Sequence, residues 1–266
     1  MLAERIKLLG IAASPYKGGN TELALKEALR AAEELGWVDT EFISTAGMKI
    51  RDCDGDNWCI THVVPDKYCS KNDDMTQIYP KVLEADAIIF ASPVYLTRIS
   101  AQMAAILDRL RAFTFGMHRA GLKNKVAGAI ACGWYRNGGI ETTLLSIYQS
   151  ALMLEMLPVS LHHSGCFYGA GVVSSLHGEH KGLGKDKHLV LQDEWGLKGV
   201  HDLTWRVCGV ARIVKTGKRA LVQEGTEPHI MSISKFTRDL ENAKGEALSQ
   251  EEITERKLAQ YPPIEL

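Results

Sequence analysis

The stretch IKLLGIAASPYKGGNTELALKEALRAAEEL, residues 6–35, decides the fold. Leu8, Leu9, Ile11, Ala12 and Ala13 read as a strand buried on both faces, because near-continuous apolar runs belong to parallel sheets covered by helices. Leu25, Ala28, Leu29, Ala32 and Leu35 then recur at helical spacing, and Gly36 supplies the stop. Between the two, Ser14-Pro15-Tyr16-Lys17-Gly18-Gly19-Asn20-Thr21 faces a helix N-terminus. Unpaired amides and the positive end of the helix dipole favour a phosphate there. Gly18 and Gly19 permit a tight turn, and Ser14, Asn20 and Thr21 offer short polar contacts. The segment predicts a phosphate cradle.

The size and composition of the chain suit one α/β domain with insertions. Its 266 residues are 45% hydrophobic, enough for a full core, so disorder is excluded as a general description. Thirty-one basic against 32 acidic residues leave a net charge of -1, which argues against a broad nucleic-acid or anionic-membrane surface. The apolar run before Ser14 leads straight into a loop and a matching helix, so it reads as a core strand rather than a leader peptide. No segment has the roughly 18 uninterrupted apolar residues of a membrane span. A cytoplasmic protein is expected, and six cysteines with three of them clustered do not suggest a secreted disulfide framework.

Alternation of strand and helix continues along the chain. Trp37 to Ser44 predicts a second strand, and Ala46 to Asn72 is an irregular insertion rich in Asp, Gly and Cys. A short helix from Thr76 to Glu84 tolerates Pro80 only in its first turn or at a kink. The strand Ala87 to Ala91 runs into Ser92-Pro93-Val94-Tyr95, and Ser100 reads as the N-cap of a helix carrying Met103, Ile106, Leu107 and Leu110. Val126 to Cys132 predicts a further strand, followed by Gly133-Trp134-Tyr135-Arg136-Asn137-Gly138-Gly139 and a helix from Ile140 to Met156. A fifth strand is placed near Val159 to His162, and Val200 to Val214 marks a closing helix. The insertion from His162 onward reads as an exposed loop or hairpin; His162, His163, Cys166, His177 and His180 within it make a weak case for a metal.

Five strand–helix alternations predict a doubly wound parallel sheet. Only Gly18-Gly19 stands where a dinucleotide fold places G-x-G-x-x-G, and no G-K-[ST] follows the first strand. The flavodoxin-like order 2-1-3-4-5 instead puts its switch point between strands 1 and 3, so the loops after Ala13 and Ala91 flank one crevice.

At these loops the chain resembles the NADPH-dependent FMN reductase family, in particular its iron-sulfur flavoprotein branch. Ser14 to Thr21 is similar to the family's S-P-R-x-G-G-N-T loop, with Tyr16 where a basic residue is common. Ser92-Pro93-Val94-Tyr95 with Ser100-Ala101-Gln102 and Leu107-Asp108-Arg109, and Gly138 to Thr143, resemble its second and third loops. The likeness spans about residues 5–215. It implies a domain over residues 1–225, with a cysteine insertion at 46–75, a loop insertion at 162–192 and an extension at 226–266.

Carried over, the resemblance gives Ser14, Tyr16, Gly19, Asn20 and Thr21 to an FMN phosphate. It gives Pro93, Val94 and Tyr95 to the isoalloxazine, and Gly133, Trp134, Asn137 and Gly138 to its far edge and ribityl chain. A phosphate dianion needs converging donors, and a flat ring needs an apolar wall; the flavin itself carries the chemistry. Taken alone, Tyr95 reads as a core tyrosine, Pro93 as a turn residue and Arg136 as a solvated loop tip. The resemblance further implies NAD(P)H or a redox protein as electron donor, and a homodimer or homotetramer. A non-catalytic subunit of a larger redox complex is the alternative of a different kind.

Cys53-x2-Asp56-x2-Cys59 followed by Cys69-Ser70-Lys71-Asn72-Asp73-Asp74-Met75 resembles the branch's C-x2-C-x2-C and C-x-x-x-D-D-M, with Asp56 at the second cysteine position and a longer gap to Cys69. A [4Fe-4S] cluster takes four thiolates by rule, and three suit a [3Fe-4S] cluster. A loop that binds no metal is the competing reading. Cys132, Cys166 and Cys208 read as small core residues.

Overall fold

The computed structural model describes residues 4–62, 64, 66–114, 118–176 and 188–225. Contacts divide the chain into Met1–Ala220 and Leu221–Leu266, and of the second unit only residues 221–225 are described. The expected extension at 226–266, and His177 and His180, lie outside the described residues.

Strand β1 (Ile6–Ala12) is central, paired in parallel with β2 (Val38–Ser44) on one side and β3 (Ala87–Pro93) on the other. Next to β3 lies β4 (Val126–Gly133) and beyond it β5 (Leu157–Pro158), giving the order β2-β1-β3-β4-β5. Helix α1 is Asn20–Glu33, and α2 is a single turn at Trp58–Thr61. Then come α3 (Ile78–Glu84), α4 (Ala101–Arg109), α5 (Ile140–Met153) and α6 (Glu194–Gln223). Among the described residues, no helix is long and apolar enough to cross a membrane.

Both faces of the sheet are buried, as the unbroken apolar runs predict. Leu8 and Ile89 point into a layer with Leu25, Leu29, Val200, Leu203 and Val207 of α1 and α6. Their neighbours Leu9, Ile88 and Phe90 point the opposite way, against Ile78, Val82, Met103, Ile106 and Ile147 of α3, α4 and α5. Each fully buried side chain of this kind contributes about 1.5–3 kcal/mol of transfer energy. Gly10 is small because α1 presses on β1; a Cβ there would sit 3.0 Å from Leu25 Cδ1. Ser100 caps α4 as expected, its hydroxyl accepting from the Met103 amide at 3.1 Å.

The fifth strand departs from expectation. No strand occupies Val159 to His162; the sheet edge is divided between β5 (Leu157–Pro158) and β6 (Ala170–Val173). Val126 and Ala127 of β4 pair with β5, and Ile130 to Gly133 of the same strand pair with β6. The two pieces are therefore one strand line interrupted by an excursion. Consequently the insertion at 162–192 is not wholly an exposed loop, since Ala170, Val172 and Val173 are buried. Gly169 and Gly171 hid this strand, because they diluted the apolar pattern on which a strand reading rests. Smaller differences occur at element ends. A 3-10 turn at Asp74–Gln77 precedes α3, leaving Pro80 in the helix's first turn, and α6 starts six residues before Val200.

Candidate functional site

Three loops leave the carboxyl ends of β1, β3 and β4, and the structure ties each to the next. In the first, Gly18 has φ +67°, and a Cβ on it would meet nothing within 4 Å, so the loop is open above that residue. The Ser14 hydroxyl accepts from the Tyr16 amide at 3.2 Å. The buried Glu22 carboxylate reaches back from the first turn of α1 to accept the Gly18 amide at 2.9 Å, and also accepts the Ser44 hydroxyl. The first intrahelical bond runs from the Leu23 amide to Gly19 O, so the amides of Asn20, Thr21 and Glu22 precede the helical ladder. Asn20 carries a second task, because its Oδ1 accepts from the Val190 amide at 3.0 Å.

The second loop is fixed from below. Ser100 donates its hydroxyl to Ala13 O at 2.7 Å and its amide to Ser92 Oγ at 3.0 Å, locking the start of α4 to the first two loops. Val94 donates to Cys132 O at 2.9 Å, which joins the second loop to β4. Tyr95 and Arg98 exchange backbone bonds of 2.9 and 3.1 Å around Leu96 and Thr97, both in the left-handed region at φ +47° and +63°. Such a two-residue turn normally recruits Asn or Gly; a β-branched Thr97 there is strained by about 1–3 kcal/mol.

The strain is held by the third loop. Gly139 has φ +101°, and a Cβ on it would lie 2.3 Å from Thr97 Cα. Thr142 donates its hydroxyl to Thr97 O. Within the loop the Trp134 and Tyr135 rings stack, 5.8 Å apart and 6° from parallel. The Tyr95 phenol is pushed up, first by burial and then by Tyr16 of the first loop and Cys132 at the end of β4. The second loop is thus tied to the first through Ser100 and to the third through Thr97.

Tyr16, Tyr95 and Trp134 remain 59%, 40% and 45% exposed, a set of rings left uncovered at one sheet edge. Converging amides and hydroxyls at one end and exposed rings at the other fit a phosphate-bearing planar group. Arg136 in the third loop is paired. Its guanidinium lies 3.5 Å from the buried Asp193 at the start of α6.

The cysteine insertion is held by ion pairs that the sequence pattern does not reveal. Arg109 at the end of α4 has a side chain only 1% exposed. Its two terminal nitrogens donate to the Asp73 carboxylate at 2.9 and 3.2 Å, one of them also to Arg51 O at 2.9 Å, and Nε to the Tyr79 hydroxyl at 3.2 Å. Both ends of the insertion therefore meet at one guanidinium. Burial alone would raise the Asp73 carboxyl, but the Arg109 bonds and the Arg51 and Met75 amides outweigh it and leave the group below its ordinary range. Inside the loop, buried Lys71 bonds Asp54 Oδ1 at 2.5 Å.

Cys53, Cys59 and Cys69 are free and half-buried. The Cys59 thiol is pushed up, chiefly by burial, with Arg111 opposing and Cys69 and Cys53 adding to the rise. Asp56 accepts the Ser70 hydroxyl at 2.5 Å through one oxygen and the Trp58 amide at 3.1 Å through the other. Among the described residues, no group of three or more His, Cys, Asp or Glu side chains converges to hold a metal ion. This arrangement does not fit a four-ligand cluster completed by Asp56. Cys132, Cys166 and Cys208 are buried, as expected of core residues.

An iron-sulfur flavoprotein of Methanocaldococcus jannaschii is 37% identical over 210 residues, covering 79% of this chain and 100% of its own. An iron-sulfur flavoprotein of Methanosarcina thermophila is 40% identical over 147 residues, 54% of this chain and 71% of its own. Among solved structures, RosB with bound 8-demethyl-8-formylriboflavin-5'-phosphate superposes with a TM-score of 0.61 at 17% identity, covering 92% of this chain and 88% of that one. That likeness shows the fold, a flavodoxin-like sheet with helices on both faces. The family profile matches residues 6–164, and the chain belongs to the NADPH-dependent FMN reductase family.

Proposed function

We propose that the chain is an FMN-dependent oxidoreductase that passes reducing equivalents from NAD(P)H to a small acceptor such as a flavin or quinone. The three loops tied to one another at the carboxyl ends of β1, β3 and β4 carry this reading. Ser14, Gly19, Thr21 and the first amides of α1 hold the phosphate, with Tyr16 beside it. Asn20 stands at the same turn, its Oδ1 taken by the Val190 amide. Pro93, Val94 and Tyr95 form the wall behind the ring, and Gly133, Trp134, Asn137 and Gly138 close its far edge. Bound FMN supplies the hydride and electron chemistry. The protein orients the ring, limits water on one face and leaves the other open to a nicotinamide. No side-chain acid or base is assigned.

The test is rapid mixing of the FMN-loaded protein with NADPH and with NADH under anaerobic conditions. Bleaching of the flavin within the turnover range of enzymes, about 1–1000 per second, is the expected result. Failure of both nucleotides while a reduced ferredoxin bleaches the flavin would exclude the reductase reading.

The relatives named iron-sulfur flavoproteins and the three cysteines of one insertion favour a second reading, an electron carrier in which Cys53, Cys59 and Cys69 hold a [3Fe-4S] centre. Anaerobic purification with iron and sulfide analysis decides it, three irons per chain supporting the centre and none removing it. A homodimer or homotetramer in the cytoplasm is part of the proposal, measured by light scattering and by fractionation.

A further inference from the structure

Beyond the cofactor loops, one cavity of about 380 Å³ opens where the edge strand is interrupted. It lies between the 164–169 excursion, the first turns of α5 and the start of α6. None of Ser14 to Thr21 or Pro93 to Tyr95 lines it, and Arg136 is its one contribution from the third loop. The cavity is therefore separate from the first two loops.

Its rim has an unusual composition. Phe167, Tyr168 and Trp195 stand 55%, 47% and 60% exposed around the one opening. Three large rings left in water at one place mark a contact surface more often than an accident of folding. The Arg136 side chain is 57% exposed, whereas its partner Asp193 is 2% exposed. Asp193 is satisfied without the arginine, since it accepts the Val173 amide at 2.8 Å and the Gly196 amide at 3.1 Å. The contact is a single one at 3.5 Å, and Asp193 keeps both amide bonds when the guanidinium leaves, so a ligand anion can compete for Arg136. Glu141 on the same rim disfavours a second negative charge.

We infer that this cavity binds a planar aromatic monoanion of one or two rings, its charge on Arg136 and its ring against Trp195 and Tyr168. The volume stands near the lower end of small-ligand pockets, about 300–1000 Å³, which excludes a whole dinucleotide. Arg136 follows the stacked Trp134 and Tyr135 directly, so occupation is felt in the third loop. The inference does not depend on the electron donor or acceptor.

The probe is naphthoate, titrated calorimetrically into the FMN-loaded full chain, with neutral naphthylmethanol as the control. Saturable one-to-one binding is expected, accompanied by a change in the visible flavin spectrum and no release of flavin. Arg136→Gln and Trp195→Ala should each weaken it by about tenfold or more, the value of one charge-assisted contact or one stacked ring. Equal binding of naphthylmethanol removes the assigned charge recognition. Wild-type affinity in both variants, absence of saturation, or displacement of flavin by the probe overturns the site. Loss of oligomer in Trp195→Ala without loss of naphthoate binding assigns the rim to a second copy of the chain and also overturns it.

Discussion

Asp73→Ala is expected to cost about 3–5 kcal/mol of stability, because it strands the Arg109 guanidinium in the interior without its carboxylate. The geometry supports the upper part of that range. Arg109 and Asp73 side chains are 1% and 5% exposed and joined by two bonds, so water does not replace what is removed. Asp73 also accepts the Arg51 and Met75 amides, which are orphaned by the same substitution. Urea unfolding checks the loss, and a change below about 1 kcal/mol would place the pair among weak surface bridges. The pH dependence has a definite sign. The folded carboxyl lies below its unfolded value of about 4, so its stabilisation is complete above that pH and disappears as pH falls through the lower folded value. The alanine variant should lose that acid-side component of the stability curve.

Gly139→Ala is expected to weaken FMN binding by about tenfold or more, the equivalent of about 1.4 kcal/mol. Two costs add. An alanine at φ +101° is strained, and its Cβ falls 2.3 Å from Thr97 Cα, a backbone atom with no rotamer by which to move away. Relief requires Thr97 to retreat, which opens the turn behind Tyr95 and releases the Thr142 hydroxyl from Thr97 O. Overpacking of this kind costs about 1–3 kcal/mol, and here it is concentrated between two cofactor loops. Titration of apoprotein with FMN measures the effect; wild-type affinity would show that the third loop does not set the second.

The first strand-to-helix turn and the parallel core were legible because their signals are local. The uninterrupted run Leu8 to Ala13 and the helical spacing from Leu25 to Leu35 declare a strand and a helix without reference to any distant residue. Ser100 as a helix cap was equally readable, since a cap bonds amides two or three residues away. The edge strand was not. Its pieces at Leu157–Pro158 and Ala170–Val173 gain strand character only by pairing with two halves of β4. Arg136 reads as a solvent-facing loop residue in sequence, and its partner Asp193 comes 57 positions later.

By itself the sequence determined that a doubly wound sheet forms, that β1 delivers a turn to a helix N-terminus, and that three cysteines fall in one insertion. Tertiary structure alone decided that Arg109 closes that insertion on Asp73 and Arg51, that Thr97 is held in a left-handed turn by Gly139, and that Asp56 bonds Ser70. The division has one physical origin. Periodicity, capping and turn chemistry act over a few residues and are written in neighbouring letters, whereas buried ion pairs, close backbone approaches and strand pairing exist only between segments that the chain has first brought together.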